Sequence, residues 1–568
     1  MLYRFLFIPT IFFSILFSFS QEITDLENLI LDNNEIINEN HFFIQTNNIG
    51  DPILSLIPYF DDFDFSLIHY SQKYRPLSYL ENYNKIETDS IYSHVIYQSA
   101  YKSGGLLKTF ITRPVGEFLK FKFSYNHLNS EGYFSNQENK YSSLSFGLNY
   151  LNTNKPYYYT FSFSSNNANS YNNGGVIYDS SLGLDLMNTY LNNSQTIIKN
   201  RVLDFQQHYF INSNLILKHT ILFNFFNREY IDPEPSSFHY SLTPLNYSIV
   251  SDYHLGIFYS RLLNTISVSN QNFNLDFNYN YYNTDNTVLP GGSMISHVSD
   301  VDVLFSNTTS FKEKNNIDFK LNFCPFGYNQ NNYILDFNFY KKSPNFHHRF
   351  NFFISSKKPN FFTRHYDTSY SFDWNSFLSI RRISGMWTSS FLQRKVFFSA
   401  SMNHYRNYLY FNQLVSPAQS TDDIIYFNLL FTKKWILKKI YFKSDFLIQY
   451  SDNDIISVPN IFFKQFIQYS HNLSDDITLL SSMDFYIFSK YYVNSYFPLT
   501  DLFYLQLEEK RGLIPFLKAN ISLHKDNFSI GCVFNNLTTF LYEGESLILG
   551  YPFSPPTLQL SIKWKFLN

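Results

Sequence analysis

The sequence predicts an all-β protein, a transmembrane antiparallel up-and-down β-barrel of roughly 16 to 20 strands. First, apolar and polar residues alternate with period two, most clearly in the last segment, 557–568. Second, an apolar N-terminal stretch is followed by no later run of the ~18 apolar residues that a membrane helix needs. Third, short and long polar connections alternate along the chain, which is typical of a membrane barrel.

The first 20 residues read as a secretory signal peptide. Arg4 supplies the positive charge, residues 5–19 are almost wholly apolar, and Ser18 and Ser20 are small residues at the cleavage positions. The apolar run is too short for a comfortable membrane helix. We expect the mature chain to begin at Gln21.

Residues 21–88 form an acidic segment before the barrel, with a possible short helix at 23–37. Residues 21–72 hold ten acids and no Lys or Arg, which leaves 73–568 with a net charge of +6. We therefore expect residues 42–56 to fold into the periplasmic mouth of the barrel and narrow the pore. The alternative is a disordered periplasmic tail.

The alternation runs through residues 89–568, the predicted barrel. A strand sends successive side chains to opposite faces, so each of these segments has one apolar and one polar face. The clearest segments are 119–126, 144–150, 157–164, 273–281, 317–323, 335–339, 346–354 and 558–566. One face can meet lipid while the other meets water.

Polar turns separate many of these strands, at 213–214, 312–316, 341–345 and 525–527. Longer polar stretches, expected to be external loops, lie at 166–200, 227–246, 283–296, 406–422 and 493–510. An even number of strands follows if both ends of the barrel lie in the periplasm.

An exported soluble sandwich or propeller would also alternate. The predicted strands often exceed ten residues, longer than the ~5–6 of soluble sheets. Glycine is scarce, at 18 of 568 residues, and no repeat period is visible. These features favour the membrane barrel.

Composition limits the partners and the chemistry. The net charge of −3 indicates no polyanionic partner, and we expect no nucleic acid. Cys324 falls on a polar face and Cys532 on an apolar one, so we expect two free thiols rather than a disulfide.

No catalytic, metal or cofactor motif is recognisable, and we expect neither an enzyme nor a cofactor. The fifteen histidines are scattered. The one adjacent pair, His347 and His348, points to opposite faces of a strand and is not expected to bind a metal.

The terminal strand carries a candidate assembly signal in Trp564 and Phe566. A last strand that ends in an aromatic residue resembles the sorting signal of bacterial outer-membrane barrels. We therefore expect lipid and the barrel-assembly machinery as partners, in the outer membrane of a Gram-negative cell.

Several elements together resemble the putative porin family of Bacteroidota outer membranes. They occur in the family's order at 43–50, 95–98, 106–113, 131–137, 173–175, 205–209 and 550–556. Ser554-Pro555-Pro556 departs slightly, because a more basic residue often precedes the last strand. The resemblance implies passive diffusion through a barrel and supplies no functional residues.

The polar faces predict a pore for small polar solutes. Candidate lumen-lining residues carry both signs of charge: Lys120, Lys122, Asp276, Asp318, Lys320, Asp336 and Arg349. Two alternatives remain open: a transporter that uses the aromatics as a path for hydrophobic compounds, and a structural or adhesive barrel that acts through its loops. The oligomeric state is left open.

Overall fold

The structure is a computed structural model, and it describes most of the chain. The described residues are 43–45, 48–58, 92–100, 102–152, 155–179, 181–182, 186–212, 214–235, 253–289, 292–311, 315–360, 377–499, 501–542 and 545–567. The predicted signal peptide and the possible helix at 23–37 lie outside them. Within this part of the chain, no helix has the length and apolar character to cross a membrane.

Twenty-two strands form one closed barrel. In chain order they are β1 (Tyr92–Ser99), β2 (Gly104–Val115), β3 (Leu119–Ser130), β4 (Asn139–Leu151), β5 (Tyr157–Tyr171), β6 (Gln195–Phe210), β7 (Ile216–Asp232), β8 (Tyr253–Ser269), β9 (Phe273–Leu289), β10 (Gly292–Phe311), β11 (Asn315–Gly327), β12 (Tyr333–Lys342), β13 (Phe346–Lys357), β14 (Ile380–Phe391), β15 (Val396–Arg406), β16 (Ile424–Leu437), β17 (Ile440–Ser451), β18 (Ile461–Asn472), β19 (Ile477–Phe488), β20 (Phe516–Lys525), β21 (Phe528–Asn535) and β22 (Thr557–Leu567).

The barrel closes where β22 pairs with β1, in the register Tyr92 to Leu567 and Gln98 to Ser561. Consecutive strands pair antiparallel all the way around. The predicted fold class is therefore confirmed. The strand number is even, as expected, but at 22 it exceeds the predicted 16 to 20.

One expected loop is strand instead, and it lengthens two strands without adding one. Residues 283–296 were predicted as an external loop because they are rich in Asn, Thr, Gly and Ser. In the structure β9 continues to Leu289 and β10 begins at Gly292. The polar composition predicted a loop wrongly, because the backbone hydrogen bonds between these two strands form whatever the side chains are.

The two ends of the barrel differ in their connections. Turns of two to five residues join β2 to β3, β8 to β9, β16 to β17 and β20 to β21, among others. The start of β1 and the end of β22 lie at this same end, which we call the short-turn end. Most longer connections lie at the other end, the long-connection end, including 172–194, 407–423, 489–515 and 536–556.

Short elements decorate the connections and the N-terminal segment. Five two-stranded pairs lie outside the barrel wall: Phe43–Gln45 with Ile53–Ser55, Leu409–Phe411 with Pro417–Gln419, Tyr491–Tyr492 with Lys510–Arg511, Ser495–Phe497 with Leu502–Tyr504, and Ser546–Ile548 with Tyr551–Pro552. A 3-10 helix spans Thr539–Leu541.

Each barrel strand has an exposed apolar face and a more buried, mostly polar face. On β22, Leu558, Leu560, Ile562, Trp564 and Phe566 are all exposed, whereas Gln559 between them is buried. The exposed face is the outer one, where hydrocarbon would lie, and the alternate side chains face the interior. We call the second set the inner face.

Both cysteines are free thiols. Cys324 is buried on the inner face of β11, and Cys532 lies on the outer face of β21 beside Ile530. The expectation of opposite faces and no disulfide is confirmed.

Candidate functional site: the barrel interior

Part of the chain folds into the barrel and packs against its inner face near the long-connection end. Three segments contribute: 48–58, 489–515 and 545–553. We call them together the interior stopper.

The first part of the stopper, residues 48–51, is docked on the ends of β3 and β4. The buried Asn48 side chain donates to the carbonyl oxygens of Gln137 (2.7 Å) and Ser130 (3.2 Å), and it accepts from the Ser130 hydroxyl. Asn139 donates to the Asp51 carboxylate, and Tyr141 donates to the Gly50 carbonyl oxygen. Buried polar groups that are satisfied in this way fix one position of the segment.

The second part of the segment reaches a distant part of the wall. Gln449 of β17 donates to the Leu56 carbonyl oxygen at 3.1 Å. Leu54 and Leu56 belong to an apolar cluster with Leu447 and Phe462 of β17 and β18. Along the shorter arc of the barrel, β17 is eight strand positions from β3. Residues 48–58 therefore cross the interior.

The docked segment lies inside the barrel at its long-connection end, beside Ser130, Asn139 and Gln449. That residues 42–56 occupy the periplasmic mouth and narrow a pore stays a prediction. Acidic charge guided that expectation, but uncharged amide and tyrosine side chains account for most of the hydrogen bonds that dock the segment.

The connection 489–515 is fastened to the opposite wall by a buried arginine. Arg228 of β7 is fully buried and donates to the carbonyl oxygens of Pro498 (3.1 Å) and Leu499 (3.0 Å). Its Nε lies 3.9 Å from the carboxylate of Asp501, which is also fully buried. Tyr496 donates to that carboxylate at 2.6 Å.

Apolar packing completes the stopper. Phe497, Leu499 and Leu502 pack in one cluster with inner-face residues of β2 to β9. Val493, Tyr496 and Phe503 belong to the second cluster, with β17 to β20. Because the phenols are buried among these side chains, the pKa values of Tyr491 and Tyr504 are raised, so both remain neutral.

Elements of the predicted family resemblance meet in the stopper. A Cβ on Gly132 would lie 2.6 Å from Cβ of Gln137 and 3.0 Å from Nδ2 of Asn48, so these two elements touch where only glycine fits. The amide of Val176, next to Gly175, donates to the Gly550 carbonyl oxygen at 2.6 Å. Elements far apart in sequence thus build one structure.

The seven predicted lumen-lining residues are spread over five strands and all lie on the inner face. They are Lys120 and Lys122 on β3, Asp276 on β9, Asp318 and Lys320 on β11, Asp336 on β12 and Arg349 on β13. Asp336 is joined to Arg349 through Asn338, which donates to the carboxylate at 2.9 Å and accepts from Nε of Arg349 at 2.8 Å. That these side chains line a water-filled passage remains a prediction.

A repeated arrangement of Arg, Asn and Tyr marks the inner face. Arg261 donates to Asn280 from Nε and Nη2, at 3.1 and 2.8 Å, and its guanidinium lies 5.5 Å from the ring of Tyr282. Arg349 makes the same pair of contacts with Asn338 and with Tyr340, whose ring centre is 5.4 Å away.

The third copy of this arrangement is on β14 and β15. Arg382 donates to Asn403 at 3.2 and 3.1 Å, and its guanidinium lies 6.0 Å from the ring of Tyr405 and 4.8 Å from that of Phe353. In all three copies the Tyr is the direct cross-strand partner of the Arg, and the Asn precedes it by two residues. We call Arg261, Arg349 and Arg382 the arginine trio.

Sequence reasoning identified Arg349 but not its two counterparts, nor Arg228. The available signal was Asn-x-Tyr on one strand and Arg on the partner strand. This pattern can be recognised only when the pairing register of the two strands is known, and the sequence alone does not give that register.

Within the described part of the chain, no three His, Cys, Asp or Glu side chains are grouped so that they could hold a metal ion. His348 hydrogen-bonds Ser389 at 2.7 Å on the outer face, whereas His347 faces inward. The expectation that the pair is split between faces is thus confirmed.

The predicted assembly residues lie on the outer face of the closing strand. Trp564 and Phe566 stack with ring centres 4.5 Å apart, and Trp564 also meets Phe528 edge-on. Val95 of β1 is the cross-strand neighbour of Trp564, so the pair sits at the seam of the barrel. Its role in assembly remains a prediction.

Solved structures with the same fold are large receptor barrels. The chain is similar to the ferric enterobactin receptor of Pseudomonas aeruginosa, with a TM-score of 0.59, 9% identity, and coverage of 84% of this chain and 81% of that one. It is similar also to the siderophore receptor PirA of Acinetobacter baumannii (TM-score 0.59, 10% identity, 85% and 81% covered). The ferric-catecholate import receptor of E. coli is another (TM-score 0.58, 10% identity, 84% and 82% covered). At such identities the likeness shows the fold alone.

Sequence comparison is more specific. The curated proteins give no match. A family model described as "Putative porin" matches residues 24–568, which is nearly the whole chain after the predicted signal peptide. Together with the barrel, this match indicates a channel or transporter rather than an enzyme. The chain belongs to the putative porin family.

Proposed function

We propose that the protein is an outer-membrane channel of a Gram-negative cell through which small polar solutes diffuse passively. The observation that carries this proposal is the closed barrel of 22 strands whose inner face is mostly polar and carries charged side chains on 17 of them. A barrel of this strand number is wide enough to enclose more than its own side chains. The exposed apolar outer face supports contact with membrane lipid.

The interior stopper then sets the cross-section of the passage. Between the stopper and the short-turn end, the inner face carries exposed polar side chains such as Lys320, Lys342 and His347. Solutes would enter this polar space freely and meet their main resistance beside residues 48–58 and 489–515.

A transporter for hydrophobic compounds is less favoured by the geometry. The apolar side chains of the interior are packed against one another and are buried, as Leu56, Leu499 and Phe462 show. Such packing closes space and offers no continuous apolar surface to a solute.

The stopper also supports a second candidate, an importer that is shut at rest. Buried contacts hold residues 48–58 and 489–515 on several parts of the wall. The similar solved structures include an import receptor, although their low identity supports the fold only. In this candidate the stopper would have to move before a solute passes.

Recording from purified protein in planar bilayers separates the two candidates. The full chain is compared with a variant that lacks residues 43–58, and heat-modifiable gel mobility confirms that each is folded. Conductance steps from the full chain support the passive channel. Conductance steps from the deletion variant alone support the importer that is shut at rest. If neither folded protein conducts, both candidates are contradicted.

A further inference from the structure

The inner face of the barrel carries a marked excess of positive charge. Seventeen inner-face side chains of the barrel strands are cationic: Lys108, Lys120, Lys122, Lys218, Arg228, Arg261, Lys320, Lys342, Arg349, Lys357, Arg382, Lys434, Lys443, Lys464, Lys518, Lys563 and Lys565. Nine are anionic: Asp204, Asp232, Asp276, Asp300, Asp302, Asp318, Asp336, Asp445 and Asp484. The acidic N-terminal segment hides this excess in the net charge of the whole chain, which is −3.

The two signs are not mixed evenly around the barrel. The sector from β16 through β22 to β3 holds nine of the lysines, with Asp445 and Asp484 as its acids. We call it the lysine sector. The other seven acids lie on β6 to β12, on the other side of the interior.

Two lysines of this sector face each other directly. Lys434 and Lys443 are cross-strand partners on β16 and β17, both on the inner face. Like charges in such a pair are destabilising. The Asp445 carboxylate lies 3.9 Å from the Lys443 ammonium, so it offsets part of the repulsion between the two lysines. A channel that concentrates anions gives a functional reason to retain the arrangement.

The arginine trio adds fixed positive charge at three heights. Arg382 lies near the long-connection end, Arg261 near the middle of β8 and Arg349 near the short-turn end. Each guanidinium is held by an Asn oxygen and rests on an aromatic ring, yet remains half-buried rather than fully covered. A planar guanidinium held in this way is suited to carboxylate and phosphate oxygens.

We propose that the interior of the channel selects small anions, carboxylates or phosphates, through the lysine sector and the arginine trio. This inference rests on the proposed channel function. A cleft lined by one sign of charge, with walls of low dielectric constant, focuses the field and raises the local concentration of counter-ions. Salt screens the effect, because the Debye length falls to about 3 Å at 1 M.

The test compares two quadruple variants with the same change in net charge. The inner-face variant is Lys120→Gln, Lys122→Gln, Lys563→Gln and Lys565→Gln. The control is Arg113→Gln, Lys341→Gln, Lys433→Gln and Lys525→Gln, which lie on the outer face towards the same short-turn end. Reversal potentials are measured across a KCl gradient, then with potassium acetate or phosphate replacing KCl on one side.

Wild type is expected to favour chloride over potassium and to carry acetate and phosphate. In the inner-face variant the anion-to-cation permeability ratio should fall roughly threefold or more, since each kT of lost potential changes ion concentration by a factor of about three. The control should keep the wild-type ratio. Whether acetate or phosphate carries more current distinguishes the two classes of anion.

A preference of the wild-type channel for cations would overturn the inference and leave the channel function intact. An equal fall of the anion-to-cation permeability ratio in the inner-face variant and in the control would do the same. Absence of conductance in every folded protein would instead remove the channel itself, and the inference with it.

Discussion

Arg228 and Asp501 form an ion pair that is fully buried inside the barrel, although 272 positions of sequence separate them. Arg228 belongs to the wall and Asp501 to the connection 489–515, so the pair fastens the stopper to β7. The carboxylate also accepts from Tyr496. Removing one partner of such a pair leaves a buried uncompensated charge, which costs about 3–5 kcal/mol.

Arg228→Leu should therefore release the connection. We expect larger or flickering conductance steps and faster proteolysis within 493–506. The matched control is Arg201→Leu on the exposed outer face of β6, which should behave as wild type. The double variant Arg228→Leu with Asp501→Leu should recover part of the closed behaviour, because neither charge remains. A single variant with wild-type conductance and protease resistance would mean that the pair fastens nothing.

The N-terminal segment should narrow the passage. Deleting residues 22–58 removes the contacts of Asn48, Asp51 and Leu56 and should raise single-channel conductance. Deleting residues 22–40 alone is the control, since it leaves those contacts in place. Equal conductance of the two assembled deletion proteins would show that the docked residues do not limit flow.

Gly132 should be required for the docking of Asn48. Gly132 has φ +76° and Gly116 has φ +75°, so alanine strains the backbone alike at both positions. A Cβ at 132 would lie within 3.0 Å of Gln137 and Asn48, whereas one at 116 would meet nothing within 4 Å. Gly132→Ala should thus raise conductance and lower the unfolding temperature, and Gly116→Ala should change only the latter. If both variants act alike, the backbone explains the whole effect.

The closing strand should direct assembly through its outer face. Trp564→Asp with Phe566→Asp places two carboxylates where lipid is expected and should prevent membrane insertion. Lys563→Asp with Lys565→Asp is the control on the inner face of the same strand and should still insert. Membrane fractionation followed by gel mobility measures both. Normal membrane levels of the first variant would refute the role of Trp564 and Phe566.

The barrel wall was predictable because its information is local. The alternation of apolar and polar residues in segments such as 273–281 and 558–566 indicates which side chains face outward, and it does so without knowledge of the neighbouring strands. The length of the strands was harder to predict, because Asn-rich strand ends such as 283–289 have the composition of loops. Their backbone is satisfied by neighbours that the sequence alone does not identify.

The inward folding of the connection 489–515 could not be predicted from the sequence, for a different reason. Val493, Phe497 and Leu499 are apolar, but without a period that distinguishes an inward-folded connection from an exposed loop. Arg228 resembles any strand arginine until the register places it opposite Pro498 and Asp501. Contacts of high sequence separation determine the interior, and those are absent from local patterns.

The crossing of the interior by residues 48–58 also has a mechanical consequence. The hydrogen bonds between the 22 antiparallel strands run around the circumference of the barrel, so we expect the barrel to resist stretching in that direction more than flattening into an oval. A strut anchored at Ser130 on one side and at Gln449 on the other opposes changes of diameter along its own line. We therefore expect the segment to act as a cross-brace that keeps the barrel round under lateral pressure from the bilayer.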